Sequence, residues 1–220
     1  MTGDAVYGVA TWLIPLVIAI VLHEVSHGWV ANAFGDPTAK QLGRLSVNPV
    51  RHVDPIGTLA LPLILAVSGA PVFGWAKPVP VVAARMRRPR RDMVLVALAG
   101  PGINLLLALV TAFVLGIIAP LEPPRFLFDN LLNFMVINLF LAVFNLLPIP
   151  PFDGGHVVEG ALPRSMVPSW QRLGRFAFPI LILLLVVVPL VAPQANIVER
   201  IVVPPVQALL GLLAGLAGLI

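Results

Sequence analysis

The stretch AVYGVATWLIPLVIAIVLHEVSHGWVANA, residues 5–33, decides the fold. Residues 5–22 carry no charged side chain and are nearly all apolar. About 20 such residues, rising 1.5 Å each, take a helix across the hydrocarbon core of a bilayer. Directly after that run stand His23, Glu24 and His27. An ionisable side chain at the centre of such a helix costs roughly 2.5–3.5 kcal/mol on insertion scales. Where one occurs it marks a functional site by default. One helix thus points to a membrane architecture and to a place for polar chemistry within it.

The rest of the chain agrees. Hydrophobic residues make up 59% of the 220 and charged residues 11%, against roughly 25% charged in an ordinary soluble domain. Mean hydropathy is +0.98. Uncharged apolar runs recur at 56–76, 93–121, 130–152, 176–198 and 201–220. They predict an all-α polytopic membrane protein with about five to six transmembrane helices. The longest polar connections, 34–55 and 77–92, leave no room for a separate soluble domain. Residues 1–220 are therefore expected to form a single membrane-embedded domain, with a core over about 5–160 and C-terminal helices over about 173–220. The first run lacks a basic leading region and a small-residue cleavage site, so it does not read as a cleavable signal. The chain has no cysteine, which excludes thiolate ligands, disulfides and thiol nucleophiles. Its formal charge of +4 accompanies no basic helix with interleaved aromatics, so nucleic acid is not an expected partner. Basic loops beside apolar spans fit anionic lipid instead.

Those loops also predict a topology. Lys40, Arg44 and Arg51 lie in 34–55; Lys77, Arg85, Arg87, Arg88, Arg90 and Arg91 lie in 77–92; Arg164, Arg172 and Arg175 lie in 163–175. If these three connections are cytoplasmic, twelve of the fourteen basic residues are inside, as the positive-inside rule asks. The run 56–76 then begins and ends on one face and cannot simply cross. Gly57, Pro62, Gly69, Pro71 and Gly74 interrupt it, so a re-entrant or broken segment is expected after the first helix, packed on protein or lining a wet cavity. A plain transmembrane helix is the alternative. No internal repeat suggests an inverted-repeat transporter. In the last run, Gly211-x-x-x-Gly215 is a helix-packing pattern, expected to serve packing within the chain.

His23-Glu24-Val25-Ser26-His27 is an H-E-x-x-H pattern. Residues i and i+4 share one helix face, so both imidazoles can reach one zinc ion. Glu24, beside the first ligand, is then placed to take a proton from zinc-bound water. Such a site takes a third protein ligand and keeps a fourth position open. Of the acidic and histidine candidates most sit in polar loops, but Asp153 ends FNLLPIPPFDGGH, residues 144–156. Pro148, Pro150 and Pro151 cannot continue a helix, so the chain opens at membrane depth and presents a carboxylate. In the predicted topology the spans 5–33 and 130–152 run the same way, which brings Asp153 level with His23 and His27. His52, in RHVDP, is a further candidate for a metal or substrate role. His156 and Glu159 follow Asp153 and read as polar surface or as supports of the site.

HEVSH in an apolar helix, together with NLLPIPPFDGG far downstream, resembles the site-2 protease family of intramembrane zinc metalloproteases. Similar stretches are GDPTAKQLGRLSVNPVRHVDPIGT (35–58), FGWAKPVP (73–80) and GPGIN (100–104). The likeness covers most of 15–160 and fits the short bacterial and archaeal branch without PDZ or nucleotide-binding modules. The resemblance implies His23, His27 and Asp153 as ligands of one zinc ion per chain, Glu24 as general base, and Asn145 as a group holding substrate or its oxyanion. Asn104 is a further candidate for substrate contact. It also implies a re-entrant, strand-like element after the first catalytic helix, to which an unwound substrate adds as an edge strand.

The expected activity is hydrolysis of peptide bonds in transmembrane segments by a Glu-activated zinc-bound water. The expected setting is a multi-pass protein of the plasma membrane, with its active site near the cytoplasmic side and the bilayer and a membrane-protein or peptide substrate as partners. Two other readings stand beside it. A metal or ion transporter would spread ionisable residues along several spans, whereas here they cluster. A catalytically silent relative that binds membrane proteins would have no need of Glu24.

Overall fold

The computed structural model describes residues 3–68, 74–192, 194, 196 and 198–219. Helix α1, Gly3–Ala33, opens with Asp4 in its first turn, where a carboxylate complements the helix dipole. After a loop, Pro55–Ala60 forms a wide turn leading into α2, Leu61–Ser68. Asp54 caps that turn by accepting from the N–H groups of Ile56 (3.0 Å) and Gly57 (2.7 Å). Helix α3, Pro89–Ile118, starts with proline at its first position, and Asp92 accepts from the Arg88 N–H at 2.7 Å. Helix α4 is Arg125–Asn145, α5 is Asp153–Ala161 and α6 is Val167–Gly174. Two final segments are α7, Pro179–Val191, and α8, Val198–Leu216.

Four helices are long and apolar enough to cross a membrane: Val6–Ala33, Pro89–Leu121, Arg125–Asn145 and Val198–Leu216. A fifth span results if α6 and α7, bent by 61° at their break, count as one. The protein is thus an all-α polytopic membrane protein, with no strand among the described residues. Its outside is apolar, as lipid requires. Val9, Trp12, Leu13, Ile18 and Trp29 of α1 are all exposed, as are Leu106, Phe113 and Ile117 of α3.

The run 56–76 does not continue as a spanning helix. Its described helical part, Pro55–Ala60 followed by Leu61–Ser68, is too short to cross. The chain then comes back to where it left, since Trp75 N–H donates to Gly57 O (3.1 Å) and Lys77 N–H to His52 O (2.8 Å). Both ends therefore lie at one place, as the basic loops predict for a broken segment; residues 69–73 lie outside the described residues. Residues 74–82 return without helix or strand pairing.

The span expected over 130–152 ends at Asn145 because the prolines at 148, 150 and 151 remove helix N–H donors. In the core, α3, α4 and α8 meet through Ala108, Ala112, Leu115, Met135, Leu139 and Val206. Gly211 and Gly215 do not supply the in-chain contact expected of them, since nothing described lies within 4 Å of a side chain built there. The close approach is at Gly116, whose backbone meets the Ala217 carbonyl. At the opposite end of α1 from its histidines, Tyr7 donates to Asp129 of α4 at 2.7 Å.

Candidate metal centre

Helix periodicity puts His23 and His27 on one face of α1, where their Nε2 atoms stand 3.1 Å apart. Asp153 reaches them from the first residue of α5. Its Oδ2 lies 3.3 Å from His23 Nε2 and 3.4 Å from His27 Nε2. What brings it there is the local chain after α4. Gly154 packs against the Leu146 and Leu147 carbonyls so closely that a Cβ would collide with both. The three side chains are only 8%, 12% and 17% exposed.

The remaining ring nitrogens define the tautomers. His27 Nδ1 lies 2.7 Å from the Val96 carbonyl, which can only accept, so Nδ1 carries the hydrogen and Nε2 the lone pair. His23 Nδ1 lies 2.6 Å from Asn104 Oδ1. That assignment follows from the next links, because Asn104 Nδ2 donates to Asn138 Oδ1 (2.7 Å) and Asn138 Nδ2 to the Phe134 carbonyl (2.7 Å). Both imidazoles therefore turn lone pairs toward Asp153. Its Oδ2 is buried without a hydrogen-bond partner. Two imidazole nitrogens and a carboxylate oxygen converging in this way form a donor set that could hold a metal ion.

The spacing suits zinc. Tetrahedral ligands at about 2.0–2.1 Å from the ion stand about 3.3–3.4 Å apart, and the observed separations are 3.1, 3.3 and 3.4 Å. Helix α3 leaves the histidine ring nitrogens their space. A Cβ at Gly100 would run into His23 Nε2 and Cε1 and His27 Nε2. Gly100→Ala is accordingly expected to abolish metal uptake while the helices remain. Zinc content and circular dichroism of the purified variant check this, and one zinc per chain in that variant would contradict it. Only the folded chain reveals this requirement, since GPGIN alone does not say which helix faces its glycine.

Glu24 accepts from the Val79 N–H at 2.9 Å through Oε2. The returning segment 74–82 thus fixes the carboxylate beside the histidines. Asp36, fully buried, ties the same segment to the loop after α1. It accepts from the Val82 N–H at 2.6 Å and from both the N–H and hydroxyl of Thr38. Burial works against its charge, but these hydrogen bonds prevail and hold the carboxyl below its ordinary range. Pro78 and Pro80 alternate with the donors Lys77 and Val79, so residues 77–80 keep no unpaired N–H.

The other sequence candidates are not members of the histidine–aspartate cluster. Asn145 ends α4 with its amide donating to the Leu141 carbonyl at 3.0 Å. His52 is 2% exposed and its Nε2 lies 2.7 Å from the Ser46 carbonyl, so it braces the loop, and it is not part of the histidine–aspartate cluster. Asn104 is fully buried between His23 and Asn138. His156 is exposed, and Glu159 accepts from Gln171 at 2.8 Å.

A membrane-embedded cluster of this composition, led by H-E-x-x-H, defines a metallopeptidase class. Comparison with known proteins agrees. The family model "Peptidase family M50" matches residues 124–188. "Putative zinc metalloprotease YwhC" of Bacillus subtilis is 39% identical over 184 residues, covering 81% of this chain and 80% of that protein. "Putative zinc metalloprotease Rip2" of Mycolicibacterium smegmatis is 33% identical over 201 residues, 88% of this chain and 70% of that one. No solved structure matches. The chain belongs to peptidase family M50, the site-2 protease family that its two motifs resemble.

Proposed function

We propose that this protein is a zinc endopeptidase that cleaves transmembrane segments of other proteins at the depth of its own helices. The observation that carries the reading is the spacing of His23 Nε2, His27 Nε2 and Asp153 Oδ2, which matches the edges of a zinc tetrahedron. When bound by these three residues, zinc supplies Lewis acidity, which makes water acidic near pH 7 and polarises a carbonyl. Glu24 takes the proton of the attacking water and returns it to the leaving amine. Its Oε2 is held by Val79, which leaves Oε1 to carry that proton. The water oxygen adds to the carbonyl carbon, the C–N bond breaks, and a new carboxylate and amine result. Asn145 holds the substrate or its oxyanion once its amide turns away from the Leu141 carbonyl.

The site lies along α1 between the exposed apolar residues Ile18 and Trp29, which supports cleavage within the membrane. The crowding of basic residues into 34–55, 77–92 and 163–175 supports a plasma-membrane protein whose site opens toward the cytoplasm. The packing of α8 on α3 and α4 supports one domain over residues 1–220. The test is made on the full chain purified in detergent. One zinc per chain and cleavage of single-span peptides, lost to a chelator and restored by zinc, are expected. A purified chain that holds no zinc and cleaves with chelator present would overturn the reading.

A further inference from the structure

We propose that Asn104, oriented by Asn138, is a positioning residue that sets the tautomer and the aim of His23; the inference rests on the zinc reading above. The chain of hydrogen bonds has one direction only. The Phe134 carbonyl can accept but not donate, so Asn138 presents Nδ2 to it at 2.7 Å and its Oδ1 to Asn104. Asn104 then gives Nδ2 to Asn138 at 2.7 Å, and its Oδ1 is left to face His23 Nδ1 at 2.6 Å. An oxygen in that place requires the hydrogen on Nδ1, which frees Nε2 to bind metal. A main-chain carbonyl of α4 is thus read out, through two side chains, as the coordinating state of a histidine on α1.

Burial makes the relay effective. Asn104 and Asn138 have no exposure and His23 has 6%, so water does not compete for the links. The same burial removes Asn104 from substrate, and both its amide oxygen and its amide nitrogen are already engaged. The two histidines differ in a useful way. His27 takes its tautomer from the Val96 backbone, which no substitution deletes, whereas His23 depends on a side chain. A purely structural role for the asparagine pair would give a modest interhelical hydrogen bond and leave the histidine state untouched. Outer partners that orient a ligand characteristically change metal affinity by about 10–100-fold.

Two measurements test the relay. In metal-free protein labelled with 15N-histidine, Nδ1 of His23 and Nδ1 of His27, assigned by single substitution, are both expected to carry hydrogen. Because it uses the wild-type chain, this result does not depend on any variant folding, and a His23 Nδ1 without hydrogen overturns the proposal. Zinc affinity is then measured by competition with a chelator. Asn104→Leu is expected to weaken it by about 10–100-fold, while Asn104→Gln, which keeps both an acceptor for His23 and a donor for Asn138, stays within a few-fold of wild type. Combining Asn104→Leu with Asn138→Leu should weaken it no further, since both act through one path. Equal losses in Asn104→Leu and Asn104→Gln, or wild-type affinity in Asn104→Leu, overturn the relay. If the wild-type chain binds no zinc, the metal reading fails, and the tautomer measurement still decides the relay.

Discussion

Glu24→Gln is expected to keep one zinc per chain and to lower cleavage of single-span peptides by about 10²–10⁴-fold, the usual worth of a positioned general base. The substitution is mild in shape. A glutamine carbonyl can still accept from the Val79 N–H, now 2.9 Å from Oε2, so the returning segment stays in place. What is lost is the group that accepts a proton from water and passes it to the amine. Metal analysis and peptide cleavage on one purified sample separate the two properties. Retained cleavage within a few-fold of wild type would take Glu24 out of the chemistry, and loss of zinc would make it a ligand rather than a base.

Asp153→Ala is expected to weaken zinc binding by more than the roughly 10–100-fold that loss of an outer partner costs, because a direct ligand disappears. The metal-free protein should not suffer in parallel. Asp153 Oδ2 is buried and accepts no hydrogen bond, and deleting an uncompensated buried acceptor removes a cost instead of adding one. Thermal unfolding in detergent resolves the two effects. Zinc at about 100 times its dissociation constant adds about 2.7 kcal/mol to the stability of a chain that binds it when folded. Wild type should therefore melt higher with zinc, whereas Asp153→Ala should melt no lower than wild type without metal and gain nothing from it. A zinc-dependent rise of equal size in the variant would remove Asp153 from the ligand set.

Much of this site was legible in the residues themselves because its parts are local. His23 and His27 face one way by helix periodicity, and Glu24 follows from adjacency. Pro148, Pro150 and Pro151 end α4 by chemistry that needs no partner, and the basic residues of 34–55 and 77–92 point to one face for both ends of 56–76. Asn104 and Asn138 could not be read in this way. They are 34 residues apart, and each by itself is an ordinary polar residue of an apolar helix. The packing expected of Gly211 and Gly215 failed for a related reason. A small-residue pattern says that a close approach is allowed, and which helix comes close depends on how all of them pack.

The sequence by itself determined a polytopic helical protein with an H-E-x-x-H helix and a carboxylate on a proline-broken turn. Propensity, periodicity and the cost of charge in lipid act within a few residues, so they can be read along the chain. Only the tertiary structure decided what surrounds those groups. It placed Gly100 against the two imidazoles, Val79 on Glu24 and Asn104 behind His23, with His52 left to brace a loop. Those are contacts between helices far apart in sequence, and their selection follows from side chains filling one shared interior.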